Sequence, residues 1–259
     1  MERHVSAARL PTNDPRTLAR DIPGILDSLF PQLVPGVVAH FNRKAHAAPN
    51  CEPVSQGLIE ASKLQRAMLF EIAVAAAEQI VTCGVTVNWK VSLEVAVARQ
   101  RRHFDAQVPE GLSPPDRIAA MAVARNLATM LRQQVSDSAS GAKLVRSPAI
   151  PGYQWVASSV GDFSVGARLI EVKCTNKHFS SADYRQTIMY WLLSYARSVE
   201  TGSPEWSEVV LMNPRLNFIV TMPFNEIILI AGAGKSKVEL LELFSSMVGE
   251  RKSREGTSP

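Results

Sequence analysis

The stretch Gly161-Asp162-Phe163-Ser164-Val165-Gly166-Ala167-Arg168-Leu169-Ile170-Glu171-Val172-Lys173 decides how this 259-residue chain is read. Its period is two on either side of Gly166, which predicts strands over Asp162–Val165 and Arg168–Cys174 joined by a tight return. Along the second strand alternate side chains share a face, so Glu171 and Lys173 point one way and Ile170, Val172 and Cys174 the other. Two charges on one face of an apolar strand are costly to bury unless they meet a partner, a metal or a substrate. The return brings Asp162 beside Glu171, and two hard carboxylates with a backbone carbonyl between them suit Mg²⁺ while leaving positions for water and phosphate.

Working outward, Ser113 caps a helix with Pro114 and Pro115 in its first turn and Asp116 at the positive end of its dipole, running to about Val135. Strands are expected at Leu144–Arg146, Gln154–Ser158, Val209–Met212, Leu216–Thr221 and Ile227–Ile230, with helices over Ala182–Val199 and Ser236–Val248. Upstream, a helical pattern runs from Ser55 to Cys83 and stops at Gly84; another covers 89–104. Fold class is therefore α/β: a mixed central sheet flanked by helices, with an N-terminal helical region. The expected division is 1–112 as a helical substrate- or partner-binding region, 113–250 as the core and 251–259 as a flexible tail.

Asp162, followed nine positions later by Glu171-x-Lys173, resembles the active-site pattern of the PD-(D/E)XK nucleases, which share the restriction-endonuclease-like fold. The next helix carries Gln186 and Tyr190, similar to the QxxxY signature of the RecB-like branch. The resemblance covers roughly 113–250, with specific motif support from 161 to 190. It implies a divalent-metal-dependent deoxyribonuclease. Asp162, Glu171 and the Val172 carbonyl would hold Mg²⁺ (Mn²⁺ can substitute), Lys173 would steer or activate water, and Gln186 would orient Lys173 or the phosphate. It further implies DNA as substrate, a setting in restriction, repair or phage defence, and a helicase or ATPase as a compatible protein partner. Oligomeric state is left open.

The sequence departs from that pattern in two places. Gly161 stands where the namesake proline would be, and the helix before the first strand offers no acidic residue past its first turn. Glu71 and Glu78, seven apart on an earlier helix, are candidates for the missing acid if that helix packs on the sheet; the ligand stays unassigned. On Ala182–Val199 the expected core stripe is Ile188, Leu192, Tyr195 and Val199, with Gln186, Tyr190 and Arg197 on the opposite face. Tyr190 and the basic run Arg99, Arg101, Arg102 and His103 are read as nucleic-acid contacts, and His178 as a neighbour of the scissile phosphate. The competing readings are a solvated or cross-strand ion pair at Glu171 and Lys173, a packing role for Tyr190 and a solvated helix end at Arg99–His103.

Composition excludes more than it selects. A formal charge of +4 permits nucleic acid without demanding it. Three cysteines without a CxxC pair exclude a disulfide framework and a four-thiolate metal site, and five scattered histidines show no metalloprotease spacing. No stretch is long and apolar enough for a signal peptide or a membrane span, so a soluble, cytoplasmic protein is expected. Ala231-Gly-Ala-Gly-Lys-Ser236 lacks the first phosphate-loop glycine, with Leu229 in its place, and is a turn. Two rivals to the enzyme are a catalytically silent DNA-binding or scaffold member of the same fold, and a helical interaction protein with an accidental D…ExK match.

Overall fold

The return at Gly166 forms as a two-residue hairpin, with Gly166 at φ 56°, in the region that favours glycine. This is seen in a computed structural model, which describes residues 13–21, 24–84, 86–100, 108–139 and 141–255. Helices α1 (Pro15–Arg20), α2 (Ile25–Leu29), α3 (Pro35–Asn42), α4 (Gln56–Glu60), α5 (Arg66–Cys83), α6 (Trp89–Gln100) and α7 (Pro114–Ser136) come first. They are followed by β1 (Leu144–Arg146), β2 (Ala149–Ile150), β3 (Ser159–Val160), β4 (Phe163–Val165), β5 (Arg168–Val172), α8 (Ser181–Thr201), β6 (Glu208–Asn213), β7 (Phe218–Pro223), α9 (Phe224–Ala231) and α10 (Lys237–Glu255).

The main sheet has the order β1-β4-β5-β6-β7; every pair is antiparallel except β5–β6, whose parallel pairing needs the α8 crossover. Strands β2 and β3 form a separate small ribbon. Alternation along β5 sends Leu169 into one core and Ile170 and Val172 into another, so the sheet is covered on both faces. Helices α1, α2, α3, α8, α9 and α10 pack on the Leu169 face. Helices α5 and α7 cover the other through alanine-rich faces (Ala76 and Ala77 against Ala124 and Ala128), whose small side chains let the two helices lie close.

Helix α7 begins as its sequence predicts. Ser113 and Asp116 close a capping box, and the buried Asp116 also accepts from Ser113 Oγ at 2.6 Å and Ser62 Oγ at 2.7 Å. Burial works against the Asp116 carboxylate, but these bonds outweigh it and hold its pKa below the usual range. Asp116→Ala strands all three donors and is expected to cost about 2 kcal/mol, read as a lowered midpoint in urea at unchanged m.

Several expectations are corrected. Ile227–Ile230 is not a strand but part of α9, where Phe224, Ile227, Ile228 and Ala231 recur at helical spacing and are buried; the β-branched run hid that period. Gln154–Ser158 is a turn closed by Tyr153 and Val156, with the short strands on either side of it. The pattern from Ser55 to Cys83 breaks into α4 and α5. Described helix ends at Gln100 in α6, and the rest of 89–104 lies outside the described residues, as do 256–259 of the tail. The boundary at 112/113 is not a break in packing: Leu18, Leu26 and Phe41 share a core with α8, Val74 and Ile80 share one with β4 and β5, and His46 exchanges backbone hydrogen bonds with Ile219. No described helix is long and apolar enough to cross a membrane.

Candidate active site

Hairpin register pairs Phe163 with Ile170, so one further step sets Asp162 opposite Glu171. The two residues then interlock. The Val172 amide donates to Asp162 Oδ2 at 2.8 Å, and the Asp162 amide donates to Glu171 Oε1 at 3.2 Å. Because the N–H and C=O of a strand residue leave by the same edge, the Val172 carbonyl faces the side on which its amide meets Asp162.

Helix α8 supplies the next layer. Gln186 donates to Glu171 Oε2 at 2.9 Å and accepts from Lys173 Nζ at 3.0 Å, while Lys173 Nζ lies 3.6 Å from the same Glu171 oxygen. One buried glutamine thus ties the carboxylate to the ammonium. Glu171 is wholly buried, and that burial, with the Asp162 charge beside it, pushes its carboxyl up to about 8 against the pull of Lys173 and Arg16.

Above this floor is a cavity of about 480 Å³ lined by Asp162, Glu171, Lys173 and Gln186, with Arg16, Arg20, Lys177 and His178 also on its wall. A second cavity of similar size meets the first at Asp162 and runs past Glu71, Glu78 and Arg99. Helix α5 does pack on the sheet, which satisfies the condition set for Glu71. Its carboxyl is raised by burial, with Arg99 opposing and Asp162 adding to the shift. Among the described residues, however, no three His, Cys, Asp or Glu side chains gather into a ready metal site. The donor set on hand is two carboxylates and one carbonyl. That is a sparse set, of the kind Mg²⁺ accepts when water and phosphate complete its shell.

Gly161 has a reason in this geometry. A Cβ there would stand 3.2 Å from Glu171 Oε1, 3.2 Å from Leu169 Cδ1 and 3.3 Å from Pro148 Cγ. Its amide also donates to the Pro148 carbonyl at 2.9 Å, a bond that the namesake proline could not make. Gly161→Ala is expected to displace the Glu171 carboxylate by a few tenths of an ångström. It should cost about 1 kcal/mol in thermal melts and lower any divalent-dependent cleavage rate about tenfold.

Asp162, Glu171, Val172, Lys173 and Gln186 are brought together; the residues expected to contact nucleic acid are not. Tyr190 is completely buried, accepting from Arg16 Nε at 2.7 Å and Gln186 Nε2 at 3.2 Å, so it offers no face for a base. Burial, then Glu171, raises its hydroxyl to about 12. Arg99 is engaged with Glu78 at 2.8 Å and Glu71 at 3.7 Å; Arg101, Arg102 and His103 lie outside the described residues. Arg197 lines a different cavity, Val199 is 61% exposed rather than core, and α8 is buried nearly all round from Tyr184 to Leu193. His178 reaches the cavity wall stacked on Phe218, with ring centroids 4.5 Å apart. Cys174 packs against a core cluster, and burial raises its thiol to about 11.

Sequence reasoning missed Arg16. Asp14 and Pro15 mark the start of a helix there, but nothing local joins position 16 to Tyr190, 174 residues away. No protein-family model matches the chain, and no curated protein or solved structure matches it either.

Proposed function

We propose that the protein is a divalent-metal-dependent nuclease that hydrolyses phosphodiester bonds of DNA, in a restriction, repair or phage-defence setting. The observation that carries this reading is the linkage Asp162–Glu171–Gln186–Lys173: opposed carboxylates and an ammonium, joined by one buried glutamine, on the floor of a cavity with cations on its wall.

The residues fit a hard cation. A buried carboxyl held up to about 8 retains a proton near neutral pH, and a divalent ion would take that proton's place with more charge. Mg²⁺ or Mn²⁺, held by Asp162, Glu171 and the Val172 carbonyl, would polarise the scissile phosphate and lower the pKa of a bound water. Lys173 spends its contacts on Gln186 and Glu171 and keeps donor capacity for the attacking water or a phosphoryl oxygen. Gln186 fixes where that ammonium sits. Arg20 and Lys177 would draw a polyanion to the mouth of the cavity.

One observation favours the silent member of the same fold as second reading: Glu71, a further acid on the cavity wall, is held by Arg99. The full chain, assayed on plasmid and linear DNA with Mg²⁺ or Mn²⁺ against EDTA and beside Lys173→Ala, decides between them. Divalent-dependent cutting lost in the variant is the expected result. DNA binding without cutting would replace the enzyme by the silent member, and neither activity would leave only an interaction protein.

A further inference from the structure

Arg16 enters the centre from the far end of the chain, and the reaction above does not use it. Asp14 accepts from the Thr17 amide at 3.0 Å, Pro15 occupies the first turn of α1, and Leu18 and Ala19 are buried in the core shared with α8. The root of the arginine is therefore fixed. Its tip is fixed too: Nε donates to the Tyr190 hydroxyl at 2.7 Å and Nη2 to the Val160 carbonyl at 3.0 Å.

Both of those acceptors are neutral, so they hold the guanidinium without spending its charge. Burial opposes that charge, yet Tyr190, Glu171 and Asp162 together raise the pKa further above its ordinary value. Arg16 makes no ion pair among the described residues, and its Nη1 has no hydrogen-bond partner among them. The residue lines both cavities where they meet at Asp162. Arg16 is half-buried, and the unpartnered edge of its guanidinium is open to the cavities rather than sealed in the core; the planar fork of arginine matches phosphate oxygens. Arg20 and Lys177 are on the same cavity wall.

We propose that Arg16 is a substrate-binding residue that holds a DNA phosphate next to the one placed between Asp162, Glu171 and Lys173, making α1 part of the catalytic centre. The proposal rests on the nuclease reading for the position of the scissile phosphate. It differs from a structural role for Arg16 in requiring one particular phosphate oxygen as partner.

The test uses short DNA duplexes carrying a single neutral methylphosphonate at successive positions, bound by the full chain in Ca²⁺. Wild-type protein should lose affinity at the scissile phosphate and, separately, about tenfold at the position next to it, the scale of one charge-assisted bond. Arg16→Gln should bind unmodified DNA about tenfold more weakly, lose nothing further at that position, and show a log K against log salt slope shallower by about 0.9. A variant weakened equally at every modified position, or one that binds as wild type, overturns the proposal. Should Arg16→Gln fail to fold, Tyr190→Phe, which frees the arginine tip, must shrink the penalty at that same position; an unchanged penalty overturns it. The nuclease reading fails separately, if wild type shows the Arg16-dependent phosphate yet cuts nothing with Mg²⁺ or Mn²⁺. Absence of DNA binding overturns both.

Discussion

Lys173→Ala is expected to lower divalent-dependent DNA cleavage by about 10³-fold, the scale of losing one preorganised donor at a reacting oxyanion. The fold should survive. Lys173 is partly exposed, with a side-chain exposure of 19%, and its polar contacts are with Gln186 and Glu171. Its removal leaves Gln186 Oε1 without its donor and costs about 1–2 kcal/mol. Because Lys173 holds the Glu171 carboxyl down, the same change should push that carboxyl still higher and weaken divalent-ion binding. Lys173→Arg should not rescue the rate, since a planar fork cannot take the place of a compact ammonium beside Gln186. Single-turnover cleavage and urea melts on the same preparations separate the two effects. A variant that cuts within about threefold of wild type would remove Lys173 from the chemistry.

Glu171→Gln is expected to change how stability depends on pH. In the metal-free wild type the folded carboxyl sits at about 8, above the ordinary value near 4.3, so the native state binds more protons than the unfolded chain between those values. Stability is then fully present below about pH 4.3 and is lost as pH rises towards 8, a fall on the order of a few kcal/mol. The amide of the variant cannot titrate, so its profile should be flatter through that window. At the acid end the protonated carboxyl already presents one donor to the Asp162 amide or Gln186, as the amide does, so the two proteins should be of similar stability there. The two curves start together near the acid end of the window and separate as pH rises, with the variant more stable near its alkaline end. Thermal melts in EDTA across that range check it; parallel curves would mean that Glu171 is not held protonated by burial.

How much of this was legible in the sequence depended on how far apart the partners lie. The hairpin that opposes Asp162 and Glu171 is a local pattern around Gly166, and the cap at Ser113 is a local signal too; both formed as read, and Asp116, read only as a charge at the helix's positive end, closes a capping box as well. Gln186 was found through motif spacing, and its position is explained by the α8 crossover that parallel pairing demands. What failed was anything that needed to know what covers a face. Tyr190 and Val199 were sorted by assuming that α8 has one wet side. Instead α8 lies between the sheet and α1–α3, so its first three turns are buried nearly all round while its end is exposed. Ile227–Ile230 misled because a β-branched run carries strand preference, whereas the helix buries Phe224, Ile227, Ile228 and Ala231 in the core it shares with β7. Arg16 was out of reach altogether, since a contact across 174 positions leaves no periodic trace.

That long contact also sets an order of assembly. The loops to be closed lengthen from the Asp162–Glu171 hairpin, through the Gln186 bridge, to the Arg16–Tyr190 clasp, and each longer closure costs more chain entropy before it is repaid. On a ribosome, position 16 emerges long before position 190 is synthesised, so a nascent chain cannot hold its phosphate-facing arginine in place until α8 has been translated and docked. The centre is finished by its oldest segment joining one of its later ones.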